Sequence, residues 1–333
     1  MTPAEPFDWR DGERAIHFGR GRLAEAVELC GGAGYTLLTT PRAEGDAPHV
    51  VEAAAEVVHV PAGRVDEIAG DLLERVRGER LLALGGGRVI DVAKAIAAAG
   101  GGRARVAAVP TTLSGAEMTR GHRLARGAPA GSGHVRPAVV VCDPALAASQ
   151  PRDALAASAL NALGHAVEAP CTPRANPVAT MAAHEAARLI AGALPDAGEP
   201  QRDELALAAL LAGYSIDSAG YGLHHVLSQT LVRLTGIPHG SANAIMLPHS
   251  IGALAWRFPR QHEALTRALG GGEPADVAAR LCAMTGATSL RELGVDADAL
   301  ARCADVAAAR DDLDQTPPRA GRAELLALYE HAL

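Results

Sequence analysis

Leu81-Leu82-Ala83-Leu84-Gly85-Gly86-Gly87-Arg88-Val89-Ile90-Asp91-Val92-Ala93-Lys94 is the stretch on which the fold turns. A short apolar run, three glycines and a helix-like segment read as strand, turn and helix. Glycines adopt backbone geometries closed to other residues and let a ligand approach the main chain. The following helix start offers unpaired N–H groups and the positive end of its dipole, which suits a pyrophosphate. Asp91 and Lys94, three apart, share a face of the first turns. The spacing is neither G-x-G-x-x-G nor a P-loop, so alone it describes a tight structural turn equally well. Lys94 is the sole lysine; every other of the 31 strong bases is arginine.

Outward from this turn, the first 150 residues alternate short apolar runs with helical patterns. Candidate strands are 35–39 (YTLLT), 56–60 (EVVHV), 80–84 (RLLAL), 105–109 (RVAAV) and 138–142 (AVVVC), with helix-like stretches at 22–30, 65–77 and 89–99. That alternation implies βαβ units and a mostly parallel sheet. Residues 121–137, rich in Gly, Arg and His, read as a loop or small hairpin. From Pro151 onward the chain is alanine- and leucine-rich. Helical segments are expected at 153–168, 177–193, 203–218, 223–234, 274–284, 297–309 and 322–332. The expected architecture is an α/β domain over 1–150, with a mostly parallel sheet, followed by an all-helical domain over 151–333.

Composition narrows the function classes. With 333 residues, one large or two medium domains are expected. A net charge of −7 gives no global basic field for nucleic acid or an anionic membrane. Aromatics at 3% argue against a base-stacking surface. Cys30, Cys142, Cys171, Cys282 and Cys303 are scattered, without a CxxC pair, and read as reduced thiols. Residues 1–14 carry acids and no apolar core of a signal peptide, and the longest strongly apolar run, 205–216, is too short to span a bilayer. A cytoplasmic enzyme with a small-molecule substrate, and with no nucleic-acid or membrane partner, is expected.

Two further clusters carry chemistry. Pro110-Thr111-Thr112-Leu113-Ser114-Gly115-Ala116-Glu117-Met118-Thr119 places hydroxyls after a predicted parallel strand, where ligands of open α/β sheets bind. In the helical half, Asn161 and His165 lie four apart in ALNALGHAVEA. His224 and His225 follow in GLHHVLSQ, then His239 in IPHG and His249 in LPH. A single histidine on an apolar helix is usually a packed core residue; several in one domain point to a site.

GGGRVIDVAK, PTTLSGAEMT, NALGHAVEA and GLHH…IPHG, in that order, resemble the iron-containing (group III) alcohol dehydrogenase family. Within it the pattern is most similar to the maleylacetate reductases. The resemblance implies an NAD(P)-binding α/β domain, a helical catalytic domain and a homodimer. Gly85, Gly86 and Gly87 would hold the cofactor pyrophosphate, with Asp91 and Lys94 nearby and Lys94 towards the nicotinamide ribose. Thr111, Thr112 and Ser114 would line the same cofactor. Thr40 and Arg42 would meet the adenosine ribose, where no acid is evident and Arg42 suits a 2′-phosphate; NADH or NADPH is expected. Metal-dependent members use an aspartate and three histidines, which correspond here to Asn161, His165, His225 and His239. With asparagine in the acid's place a metal is expected to be absent.

The resemblance also implies a histidine four residues after His225, where this chain has Gln229, with His224 a possible substitute. His239-Gly240-Ser241 departs from the usual His-Ala-Glu. The expected reaction is reduction of maleylacetate to 3-oxoadipate in aromatic-compound catabolism, with His165, His225 and His239 polarising substrate oxygens and delivering a proton. Arg319 is a candidate partner for a substrate carboxylate. Two alternatives remain: an alcohol dehydrogenase, or aldehyde or ketone reductase, of a biosynthetic pathway, and a non-redox lyase or cyclase on the same fold, as in dehydroquinate synthase.

Overall fold

The computed structural model describes residues 4–333. Met1, Thr2 and Pro3, the start of the stretch read as lacking a signal peptide, lie outside the described residues. The chain divides into two units. One comprises the chain up to Gln150 with Arg202–Gly213; the other comprises Pro151–Gln201 and Tyr214–Leu333.

The first unit carries seven strands: β1 (Phe7–Asp11), β2 (Arg14–Phe18), β3 (Thr36–Thr39), β4 (Glu56–His59), β5 (Arg80–Gly85), β6 (Arg105–Pro110) and β7 (Val139–Cys142). They form one sheet in the order β1-β2-β7-β6-β5-β3-β4. β1 pairs antiparallel with β2, and all other pairings are parallel. Helices α1 (Ala26–Leu29), α2 (Pro41–Asp46), α3 (Pro48–Glu52), α4 (Val65–Leu72), α5 (Gly87–Ala99) and α6 (Pro144–Ala147) cover it. Alternate residues of β5 feed two cores. Leu81 and Ala83 pack with Val89, Ile90 and Val92 of α5, while Leu82 and Leu84 pack with Tyr35, Val50 and Leu146. A parallel strand buried on both faces reads as a continuous apolar run, which is why RLLAL was legible.

The sequence reading did not anticipate the β1–β2 hairpin. β1 is half exposed along its length, and its FDWRD carries three charged residues to two apolar ones. What seats it is tertiary: Phe7 stacks on Phe18 at 5.0 Å between centroids, and β2 pairs with β7. α2 and α3 were also missed, each opening on a proline at its first turn. Residues 121–137 form irregular structure rather than a hairpin.

The second unit contains helices and, among the described residues, no strand. They are α7 (Arg152–Glu168), α8 (Pro177–Ala193), the end of α9 (Arg202–Ala219), α10 (Leu223–Thr235), α11 (His239–Arg257), α12 (Pro259–Ala268), α13 (Pro274–Cys282), α14 (Ala297–Ala308) and α15 (Arg322–His331). α11 was not foreseen because Pro248 lies inside it, where proline removes an intrahelical hydrogen bond. No helix among the described residues is long and apolar enough to cross a membrane. The five cysteines are free thiols.

A single boundary near residue 150 misplaces one segment, Arg202–Gly213, which the structure returns to the first unit. The cause lies in three residues that the uniformly apolar run 205–216 concealed. Arg202 donates to the carbonyls of Ala148 and Gln150, and Asp203 pairs with Arg20 at 2.6 Å. At Gly213 a Cβ would come within 2.8 Å of the Met118 Cβ and 3.0 Å of the Gly115 carbonyl oxygen, so the helix can approach only as glycine. Gly213→Ala should therefore destabilise the protein by about 1–3 kcal/mol. Gly252→Ala, exposed within α11 and facing open space, should stabilise it by about 0.5–1 kcal/mol. Denaturation midpoints measured side by side decide; a Gly213→Ala midpoint equal to wild type would refute the close approach.

Candidate active site

In the first unit the chain runs outward from β3 to β4 and then returns to β5 on the other side of β3. Ligands of open α/β sheets bind at such a switch point, beyond the carboxyl ends of the strands. A cavity of about 310 Å³ lies there, lined by Thr40 and Arg42 after β3, Gly86 and Gly87 after β5, and Thr111 and Thr112 after β6. Gly86 opens α5, and no side chain caps that terminus. A Cβ on Gly86 would meet Thr112 at 2.9 Å, and one on Gly87 would meet Ser114 at 2.9 Å. The hydroxyl cluster is thus pressed against the glycine turn, and only a bare backbone fits between them. This cradle suits the pyrophosphate of a dinucleotide.

Two charged lining residues were not anticipated. Asp46, at the end of α2 and four residues beyond Arg42, shares the cavity with it, so the ribose end is not free of acid. Arg88 also lines it, an arginine in the first turn of α5 where the helix dipole favours an anion nearby.

Gly85, Asp91, Lys94 and Ser114 lie outside that lining. Gly85 ends β5 against Val89. Lys94 is fully buried. Its ammonium donates to Asp91 Oδ1 at 2.7 Å, the Ala116 carbonyl at 3.0 Å, the Gly121 carbonyl at 3.0 Å and Thr119 Oγ1 at 3.4 Å. Arg14 donates to the Met118 carbonyl from the other side, at 2.7 Å. Two cations therefore grip the main chain at 116–121. Glu117 is buried beside them, and its Oε2 has no hydrogen-bond partner among the described residues. Burial pushes its carboxyl up to about 7, against the pull of Lys94 and Arg14.

In the second unit, the 3.6-residue period places Asn161, His165 and Glu168 on one side of α7. His165 and His225 stack with ring centroids 4.9 Å apart. Glu168 is the residue that the sequence reading quoted but did not weigh. Its buried carboxylate sits at the start of α10 and accepts from the main-chain N–H groups of Gly222 at 3.1 Å, His224 at 2.6 Å and His225 at 3.3 Å, and from His225 Nδ1 at 2.6 Å. Its i+3 spacing from His165 was the available signal.

With Nδ1–H held by Glu168, His225 presents Nε2, which has no partner among the described residues. Burial and the neighbouring His239 push His225 down to about 3, so the ring is neutral. Burial likewise holds His165 neutral. His224 turns away: its Nδ1 meets Ser250 Oγ at 3.0 Å and its ring packs where a Cβ on Gly164 would be, 2.7 Å from Nε2. It therefore does not stand in for a histidine at position 229. His239, exposed at the head of α11, has its Nε2 approached by the Asn243 amide at 3.0 Å. His249 feels His331 instead.

The amide of Asn161 is a weaker ligand for a hard divalent cation than a carboxylate. Among the described residues no three His, Cys, Asp or Glu side chains converge as metal ligands, and the fourth position is the neutral amide of Asn161. Arg319 is spent on Asp314 and on the carbonyls of Ala308 and Arg310, which removes it as a free carboxylate partner.

Both halves of the chain match one family. Residues 14–144 match the iron-containing alcohol dehydrogenase family, and residues 155–333 match its C-terminal part. The chain belongs to the iron-containing alcohol dehydrogenase family and is an NAD(P)-dependent oxidoreductase. It is similar to the maleylacetate reductase of Sphingobium indicum, with 32% identity over 315 residues covering 88% of each chain. Among solved structures it resembles a putative alcohol dehydrogenase from Ralstonia eutropha JMP134 (TM-score 0.85, 29% identity, 99% of this chain and 98% of that one). It also resembles maleylacetate reductase from Agrobacterium tumefaciens (TM-score 0.82, 28% identity, 99% of each). These neighbours share its combination of a parallel-dominated α/β unit and a helical unit.

Two outcomes are expected. Glu168→Gln puts an amide against N–H donors and unpins His225, so kcat should fall by about 10- to 100-fold; an unchanged kcat would show the pairing to be idle. For Glu117, the folded carboxyl keeps its proton to higher pH than the ordinary value of 4.5. Its stabilisation is full below that value and is lost as pH rises through about 7. Arg14, Lys94, Asp91 and the Cys142 thiol are the charged or titratable groups around it. Thermal melts from about pH 5 to about pH 8 should show Glu117→Gln gaining on wild type as pH rises. A constant offset would contradict the buried-proton account.

Proposed function

We propose that this protein reduces maleylacetate to 3-oxoadipate with NADH or NADPH. The carrying observation is the Asn161–His165–His225 arrangement in a chain that is 32% identical to a maleylacetate reductase over 88% of its length.

The reduced nicotinamide, when bound, supplies the hydride, which adds to the carbon–carbon double bond conjugated with the ketone. The protein's part is to bind, orient and move one proton. Gly86, Gly87, Thr111 and Thr112 receive the dinucleotide, with Thr40, Arg42 and Asp46 at the ribose end. Because Glu168 holds the Nδ1–H of His225, that ring offers a lone pair at Nε2 and accepts a hydrogen bond from a donor group held beside the conjugated ketone. His165, stacked on it, extends the same wall. Proton delivery to the substrate carbon falls to His239, the exposed histidine of the set. The proposed chemistry runs without a metal, as Asn161 and the Asn243-engaged His239 support.

Oxidation of NADH and NADPH, followed by absorbance with maleylacetate and with a panel of neutral aldehydes and ketones, tests this reading. Maleylacetate should give the highest kcat/KM, with activity retained in chelator and no stoichiometric iron or zinc in the purified protein. Arg42→Ala should lower kcat/KM for NADPH more than for NADH. A higher kcat/KM for a neutral aldehyde, or loss of activity with the metal removed, would refute the corresponding part.

A further inference from the structure

Gln229 stands where the family pattern leads one to expect a third histidine on the α10 face, and the structure shows what it does instead. Its Oε1 accepts from Arg310 Nη2 at 2.8 Å. Tyr221 lies 5.5 Å from the His225 ring, centroid to centroid. The amide oxygen accepts from the guanidinium at any pH, whereas a protonated imidazole there would have no acceptor to offer it.

Arg310 is largely buried, with 17% of its side chain exposed, and Asp312 holds its Nε at 3.1 Å and its Nη2 at 2.8 Å. Nη1 carries two N–H groups with no hydrogen-bond partner among the described residues. The loop that presents it is braced. Arg319 donates to the Arg310 carbonyl at 3.0 Å, and Thr316 Oγ1 accepts from Leu223 N at 3.0 Å, in the turn that leads into His224 and His225.

We propose that Arg310, held by Gln229 and Asp312 beside the Tyr221–His225 ring pair, binds a carboxylate of the substrate and selects carboxylated carbonyl compounds over neutral ones. Its partly open Nη1 edge is the donor such an anion needs, because an Arg–carboxylate contact is a strong charge-assisted hydrogen bond. This deepens the proposed function and rests on it for the site, but not for the particular acid.

The test uses two readouts: KM and kcat for maleylacetate against its dimethyl ester, and the affinity of adipate, a non-reacting diacid, by calorimetry on cofactor-loaded enzyme. Arg310→Gln should weaken adipate and raise KM for the diacid by about 10- to 100-fold relative to the ester, with kcat much less affected. Arg310→Lys should recover part of that loss. Asp312→Asn frees the guanidinium from its counter-charge and should tighten adipate several-fold; this variant decides the matter if Arg310→Gln does not fold. Adipate affinity indifferent to both changes, or absent in wild type, would overturn the proposal. Failure to reduce maleylacetate, with adipate still dependent on Arg310, would overturn the proposed reaction and leave the carboxylate site standing.

Discussion

A carboxylate removed from water has to find its hydrogen-bond donors inside the fold, and Glu168 finds four. Three are main-chain N–H groups at the start of α10, which no side chain of that segment caps. The fourth is the imidazole of His225. One interaction therefore joins α7 to α10, completes a helix terminus and sets the tautomer of a site histidine. The stacking of His165 on His225 follows from it, since both histidines project from the two helices that Glu168 ties together. Removing the carboxylate would leave several buried N–H groups unsatisfied, each a larger loss than a hydrogen bond is a gain.

The first unit solves the converse problem with a buried cation. The Lys94 ammonium loses its hydration entirely, a large cost unless its donors are all used. Asp91 balances the charge, and the Ala116 and Gly121 carbonyls and the Thr119 hydroxyl take the remaining donors. Arginine is not a substitute here. A planar fork cannot distribute donors around a compact point as an ammonium does, which gives a physical reason for one lysine in an arginine-rich chain. The loop so gripped carries Ser114 and Thr112 against the glycine turn. Lys94 thus shapes the cradle from behind rather than lining it.

How much could be read from residues alone follows from where the signal sits. β3 to β7 are short apolar runs bounded by turn residues, and α5, α7, α8 and α10 carry an unbroken helical period, so both were legible. The β1–β2 hairpin was not, because its pairing with β7 and the Phe7–Phe18 stack are long-range and leave little local trace. Among site residues, Gly86, Gly87, Thr40, Arg42, Thr111 and Thr112 were recognisable because turns and strand ends have composition. Glu168, Asp46 and Arg310 were not singled out. Their roles depend on what faces them across the fold, and an acid or arginine near a helix end is otherwise unremarked.

The same distinction changes how Gln229 should be understood. As a residue type it looks like the loss of a titratable group from α10. In three dimensions its Oε1 anchors the Arg310 guanidinium. A protonated imidazole at this position would repel Arg310, whereas the amide oxygen accepts from it without titrating. The amide therefore exchanges a proton carrier for a fixed positive charge beside His225. That exchange is coherent with neutral histidines. Rings held uncharged by burial can accept and position, but they cannot neutralise an anionic substrate. Asp312 and Gln229 hold the guanidinium in place, Arg319 braces the main chain that carries it, and its Nη1 edge has no hydrogen-bond partner among the described residues.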